Sequence, residues 1–341
     1  MNTEIVKLTK ENFEKEIETA ANIINKGGLV IFPTETVYGL GADAMDAASS
    51  SKIYAAKGRP SDNPLIVHIS NIGMLTKVAA NVSDTAKKIM SKFWPGPLTL
   101  ILERGPLVPH TTTGGLDTVA VRFPVHKAAA ALIDKADTPI AAPSANISGR
   151  PSITDEETLV REMSSRVDMI LLDDSSPIGL ESTVLDMTSE TPVILRPGFI
   201  EQKQLESFLG QRVAFDVNIT DSSVHPKSPG MKYRHYSPIC DMSVVTGSNE
   251  QIAEKISHFM NDDKSSGIKS AVMKRYDYPF ENFDGIYLGD DNQQIAKNLF
   301  KSFRQLDELG YKKAYFPYLS DGPLAFSIMD RVKKAAGSKI V

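Results

Sequence analysis

The chain has 341 residues, room for about two domains at ~150 residues each. Its 38 Lys and Arg against 42 Asp and Glu leave a net charge of −4, which excludes a global basic field for nucleic acid or anionic membrane, so any nucleic-acid contact is local and weak. With 41% hydrophobic and 23% charged residues it is ordinary globular material, and its single cysteine, Cys240, excludes an intrachain disulfide or a CxxC zinc or redox motif, pointing to a cytoplasmic enzyme.

The opening MNTEIVKLTKENFEKEIETA carries acidic residues and no apolar core, so neither a signal nor a transit peptide is expected. Apolar runs such as 98–102 are strand-length, and no membrane span is expected. Phe13, Ile17, Ala20, Ala21 and Ile24 recur at helical spacing over 11–26, and Gly27-Gly28 supplies the stop. A buried strand follows at 29–32, ended by Pro33, and opens into PTETVYGLG. The pattern then predicts a helix over 46–56, a loop KGRPSDNP, a strand over 65–69, a helix over 83–93, and strands over 98–103 and 118–122. An Ala-rich helix, a strand over 140–142, the loop PSANISGRPS, a helix over 155–162 and strands over 169–172, 182–186 and 192–196 complete a first α/β domain, residues 1–210, with a mixed sheet covered by helices.

Residues 211–238 hold no sustained period and read as an interdomain linker. Strands over 242–246, 268–273, 285–288 and 313–317 alternate with helices over 250–260, 292–309 and 323–336, which predicts a smaller Rossmann-like parallel α/β domain over 239–341.

Familiar signatures are missing: no GxxxxGK[ST], no HExxH, no GxSxG, and six histidines too scattered in sequence to suggest a protein-held metal. Gly39-Leu40-Gly41-Ala42-Asp43-Ala44 matches a dinucleotide fingerprint, yet about twenty residues on stand Lys57 and Arg59 where an acid should hold the ribose, so a dehydrogenase is a weak rival. More telling are loops at the ends of short strands loaded with cations, hydroxyls and amides: Thr34-Glu35-Thr36, Lys57-Gly58-Arg59 with Asn63, Arg122, Ser144-Ala145-Asn146, and Arg196-Pro197-Gly198. Any one is ordinarily a solvated charge or a turn cap. Gathered outside strand carboxyl ends, Lys57, Arg59, Arg122 and Arg196 would instead hold a polyanion such as a nucleoside triphosphate. An RNA-binding module using the same cations is the rival from another class.

The strings PTETVYGLG, KGRP with NPL, WPGPLT, VAVRFP, APSANISG, STVLD and SPGMKYRHYSP, spread over about residues 30 to 240, resemble those of L-threonylcarbamoyladenylate synthases, in the long two-domain form whose catalytic domain is YrdC-like. The resemblance implies conversion of L-threonine, bicarbonate and ATP, with Mg²⁺ on the phosphates, into threonylcarbamoyl-AMP and pyrophosphate. A separate transferase then delivers the group to adenosine 37 of tRNA. It places the KxR and SxN signatures on Lys57, Arg59, Ser144 and Asn146, with Lys57 and Arg59 catalytic. Thr36, His68, Arg122, Ala142 and Ser182 are implied to hold threonine, and Arg59, Asn63, Thr118, Ser144, Asn146, Ser152 and Arg196 to hold ATP. Tyr233, His235 and Tyr236, in the Pro- and Gly-bounded linker, are expected to act as a lid over a hydrolysis-prone product.

Overall fold

The computed structural model describes residues 2–173, 176–216, 235–275, 280 and 282–341. The chain divides into two compact units: one of residues 1–148, 153–177 and 181–232, the other of 149–152, 178–180 and 233–341. Both are α/β, as the sequence predicts: among the described residues the first holds a twelve-stranded mixed sheet and the second a four-stranded parallel one.

In the first unit the strands run across the sheet in the order Glu4–Lys7, Met169–Leu172, Val30–Phe32, Gly39–Asp43, Ile140–Ala141, Ile66–His68, Thr118–Arg122, Leu98–Arg104, Thr183–Asp186, Val193–Arg196 and Ala214–Phe215, with Ala79–Ala80 paired to Leu98–Arg104 off this path. The pleat sorts their side chains into two populations. Val67, Val119, Val121, Leu98, Leu100 and Leu102 join the main hydrophobic core with Ile17, Ala20 and Ile24 of the helix Phe13–Asn25 and Ala128, Ala129 and Leu132 of the helix Lys127–Ala136. The alternate positions Ile66, Ile101, Ala120 and Val184 form a small apolar floor on the opposite face.

That second face carries the polar residues. Cross-strand register sets His68 beside Arg122, Arg122 beside Thr99, Thr99 beside Val184 and Val184 beside Arg196, a single row across five strands. Because Val30–Phe32 is antiparallel to Gly39–Asp43, which is antiparallel to Ile140–Ala141, which is antiparallel to Ile66–His68, the strand ending at Phe32 points the opposite way from those ending at His68 and Arg122. The strands ending at His68, Arg122 and Arg196 run the same way, as a row of strand carboxyl ends requires, whereas the one ending at Phe32 runs against them and its 33–38 loop folds back to reach Arg122.

The dinucleotide fingerprint, already a weak rival in the sequence, gains no support from the fold. Gly39–Asp43 is a strand, not the turn into a helix that a phosphate loop requires. Its glycines serve packing: a Cβ on Gly41 would lie 2.6 Å from Cε1 of Phe32 and 2.8 Å from Cγ2 of Ile140.

In the second unit the order is Asp241–Val245, Lys313–Pro317, Ser270–Lys274 and Gly285–Tyr287, with helices Asn249–Ser265, Asn292–Glu308 and Ala325–Ala335 between and after them. Residues 149–152 belong here by their bonds: Arg150 meets Asp307 at 2.8 Å, Arg304 donates to the Pro151 carbonyl, and the Ser237 amide donates to the Gly149 carbonyl at 3.0 Å. Among the described residues no helix is long and apolar enough to cross a membrane.

Candidate active site

The helix Ala47–Lys57 starts on Asp46, whose carboxylate accepts from the amides of Ala48 and Ser49, and ends with Gly58 in the left-handed region at φ 61°. That ending turns the chain sharply and leaves Lys57 on the last helical turn, pointing inward at 1% exposure. Its amine donates to the carbonyls of Ser144 and Asn146, the latter at 2.6 Å, while the Ser148 amide donates to the Lys57 carbonyl at 2.9 Å. Ser144 donates to Oδ1 of Asn146 at 2.5 Å, and the loop is tied back by the Ala145 amide on the Tyr38 carbonyl at 2.7 Å. The KxR and SxN segments therefore meet, as the sequence predicts. Burial first, and the neighbouring Arg59 charge second, hold the Lys57 ammonium well below its ordinary range, with Glu181 opposing.

Arg59 points into the fold beside Asn63, with Nε on the Asn63 carbonyl at 3.2 Å and Nη2 on Asn63 Oδ1 at 2.5 Å. Arg122 donates from Nη1 to Thr36 Oγ1 at 2.9 Å and from Nη2 to Glu35 Oε1 at 2.6 Å. His68 stands next to it in the row, edge-on to Phe32, and burial with the Arg122 charge pulls its imidazole down to about 3, so it is neutral at physiological pH. Further along, Arg196 donates from Nε to the Ser182 carbonyl and from Nη2 to Ser182 Oγ, both at 3.1 Å, and Ser182 shares a 2.7 Å hydrogen bond with Thr99. Gly198 makes this approach possible, since a Cβ there would fall 2.3 Å from the Thr183 amide nitrogen.

The segment 34–39 joins the two groups: Thr36 faces Arg122, while Tyr38 and Gly39 bond the Ser144 loop. Thus Thr36, His68, Arg122 and Ser182 are brought to one face, with Ala142 beside them through its amide on the Ile66 carbonyl at 2.8 Å. Thr118 lies at the far end of its strand opposite Glu103, four residues from Arg122. Ser152 is buried and belongs to the second unit. Of the expected lid, Tyr233 lies outside the described residues, while Tyr236 is buried in the second unit with its ring stacked on Phe300 at 5.1 Å and half-buried His235 tilted against it. Sequence reasoning gave no role to Thr99, although it closes the WPGPLT string, and none to Glu35, although its place between two threonines in PTET was the available signal.

Chemically, the face offers two buried guanidiniums, Arg122 and Arg196, with hydroxyl donors around a small apolar floor, while Lys57 is buried against the Ser144 loop and Arg59 against Asn63. Lys57, Arg59, Arg122 and Arg196 are 1%, 9%, 4% and 4% exposed, so none is the solvated surface charge that a loop Lys or Arg ordinarily is. Among the described residues no group of three or more His, Cys, Asp and Glu is placed to hold a metal.

Comparison with known proteins gives the same direction. A family model described as "Telomere recombination" matches residues 22–198, and one described as "Threonylcarbamoyl-AMP synthase, C-terminal domain" matches 200–337. The threonylcarbamoyl-AMP synthase of Pyrococcus abyssi is 40% identical over 339 residues, 99% of each chain, and that of Bacillus subtilis 39% identical over 330 residues, 96% of this chain and 95% of the other. The crystal structure of P. abyssi Sua5 complexed with L-threonine superposes with a TM-score of 0.94 at 40% identity, covering 100% of this chain and 99% of that one. With both domain models matched in order and full-length relatives at this identity, the chain belongs to the threonylcarbamoyl-AMP synthase family of enzymes.

Proposed function

We propose that the chain is a nucleotidyltransferase that converts L-threonine, bicarbonate and ATP into threonylcarbamoyl-AMP and pyrophosphate, supplying a separate transferase that modifies adenosine 37 of tRNA. The burial of four cations, Arg122 and Arg196 in one cross-strand row and Lys57 with Arg59 near it, supports this reading. Holding several like charges together in the interior is costly, and an anionic substrate offsets their mutual repulsion. The P. abyssi relative whose structure holds L-threonine supports threonine as the amino acid. An RNA groove is disfavoured, because it would present its cations to solvent, whereas these four are buried.

In this reading Thr36, His68, Arg122, Ala142 and Ser182 hold threonine. Arg59, Asn63, Thr118, Ser144, Asn146 and Arg196 hold ATP. Threonine's amine combines with bicarbonate to give an N-carboxylate and water; a carboxylate oxygen then attacks the α-phosphorus, and the bond from that phosphorus to the bridging oxygen breaks to release pyrophosphate. An anion attacks an anion, so Lys57 and Arg59 work by offsetting charge and fixing the approach, with no nucleophilic side chain. Mg²⁺ is part of the proposal as an ion carried by the ATP phosphates, where it neutralises charge on the leaving group.

The test is pyrophosphate release, which should require threonine and bicarbonate together. In a folded Lys57→Ala variant it should fall by about 10²- to 10³-fold, the scale for losing one preorganised charged donor. A rate within threefold of wild type would remove Lys57 from the chemistry.

A further inference from the structure

Glu35 and Arg122 form an ion pair at 2.6 Å whose side chains are 6% and 5% exposed, yet the pairing is incomplete on both sides. Oε2 of Glu35 and Nε of Arg122 are buried and have no hydrogen-bond partner among the described residues. A neutral surface would be cheaper: a lone carboxylate oxygen or guanidinium N–H shut away from water costs about 1–3 kcal/mol or more. The neighbours do not relieve it. Thr36 already accepts from Arg122 and shares its hydroxyl with Thr34, His68 is neutral, and the floor beneath is apolar.

An α-amino acid supplies what this pair lacks. Its carboxylate is the natural partner of a guanidinium, and its ammonium is a charged donor for a carboxylate oxygen. We infer that Glu35 is the residue that receives the α-amino group of the substrate, so that the Glu35–Arg122 pair, neutral as a whole, selects a zwitterionic amino acid over an amine-free hydroxy acid. The inference rests on threonine being the substrate, as proposed above, and adds the residue that recognises its amine.

Binding of L-threonine and of 2,3-dihydroxybutanoate, the same skeleton with hydroxyl in place of amine, should be measured by calorimetry on the full-length wild type and on Glu35→Gln. The glutamine keeps the shape and one hydrogen bond to Arg122 while removing the charge. Glu35→Gln should weaken threonine by about tenfold or more, the scale of a charge-assisted hydrogen bond, and leave the amine-free acid within about twofold. Equal losses for both ligands would mean that Glu35 only positions Arg122, and no loss for threonine would mean that the amine goes elsewhere; either result overturns the inference. Should Glu35→Gln fail to fold, Glu35→Asp, which restores the charge, must keep the wild-type preference for threonine over the amine-free acid, and loss of that preference is equally fatal. Wild type that binds ATP but neither acid would instead count against the proposed substrate.

Discussion

His68 and Lys57 are both buried beside arginines, and burial and the neighbouring charge pull both pKa values down, which gives each a measurable proton signature. For His68 the folded value of about 3 lies below the ordinary 6.5, so between those limits the unfolded chain binds the proton and the folded chain does not. Stability therefore rises with pH across that window and is lost as pH falls from 6.5 toward 3, at a rate approaching about 1.4 kcal/mol per pH unit. Urea denaturation of wild type and His68→Gln over the window should show the wild-type slope reduced in the variant; parallel curves would mean that the imidazole titrates normally. For Lys57 the sign of the ligand effect is opposite. A polyphosphate beside the amine raises its lowered pKa, so ATP binding should be accompanied by proton uptake at Lys57. Calorimetry in buffers of differing ionisation enthalpy reads this directly, and Lys57→Ala should abolish the uptake. The approach of these groups was legible from the strand-end loops, because a cation, a glycine and a hydroxyl recurring together have few other uses. The unfinished bonding of the Glu35–Arg122 pair was not, since it depends on atoms contributed from positions 87 residues apart.

At the scale of elements, hydrophobic runs and caps located most of the helices and strands, and the strand Gly39–Asp43 was left unassigned. A glycine-rich string after a strand looks like a turn because glycine lacks strand propensity. Here tertiary packing wins: Phe32 lies across Gly39 and Gly41, and its ring turns its edge to His68 at 6.2 Å. Gly41→Ala should thus cost about 1–3 kcal/mol by forcing Phe32 aside, and it should also weaken threonine through the His68 row. Denaturation midpoints at unchanged slope measure the first effect. A Phe32→Leu background, which frees the space, should recover part of the loss, whereas an equal penalty in both backgrounds would place the constraint on the backbone instead. Short strands such as Glu4–Lys7 and Ala214–Phe215 escaped the reading for a different reason. The burial of Glu4–Lys7 is mostly exposed or partial, so no apolar alternation marks it, and its pairing partner Met169–Leu172 is more than 160 residues away.

Across the whole molecule the two units are interleaved in sequence, because 149–152 and 178–180 fold with the second although they lie inside the stretch that builds the first. No change of composition marks these short crossings, so a linear reading has nothing to detect. Their anchor is physical. The Asp307 carboxylate, in a side chain 9% exposed, accepts from Arg150 at 2.8 Å and from the amides of Ile239 and Cys240 at 2.7 and 3.2 Å. Removing it by Asp307→Ala leaves a guanidinium and two amides without that acceptor. With Arg150 partly solvent-screened, the expected loss is about 2–4 kcal/mol, read by chemical denaturation. The consequence should reach the chemistry by chain continuity, since Gly149 follows Asn146 by three residues and the carbonyls of Ser144 and Asn146 hold the Lys57 amine. Under conditions where the variant is fully folded, pyrophosphate release should slow several-fold, with KM for threonine changing less than kcat. If the variant loses stability and keeps the wild-type rate, the crossing at 149–152 serves folding alone, and Lys57 is held in place by the first unit without help from the second.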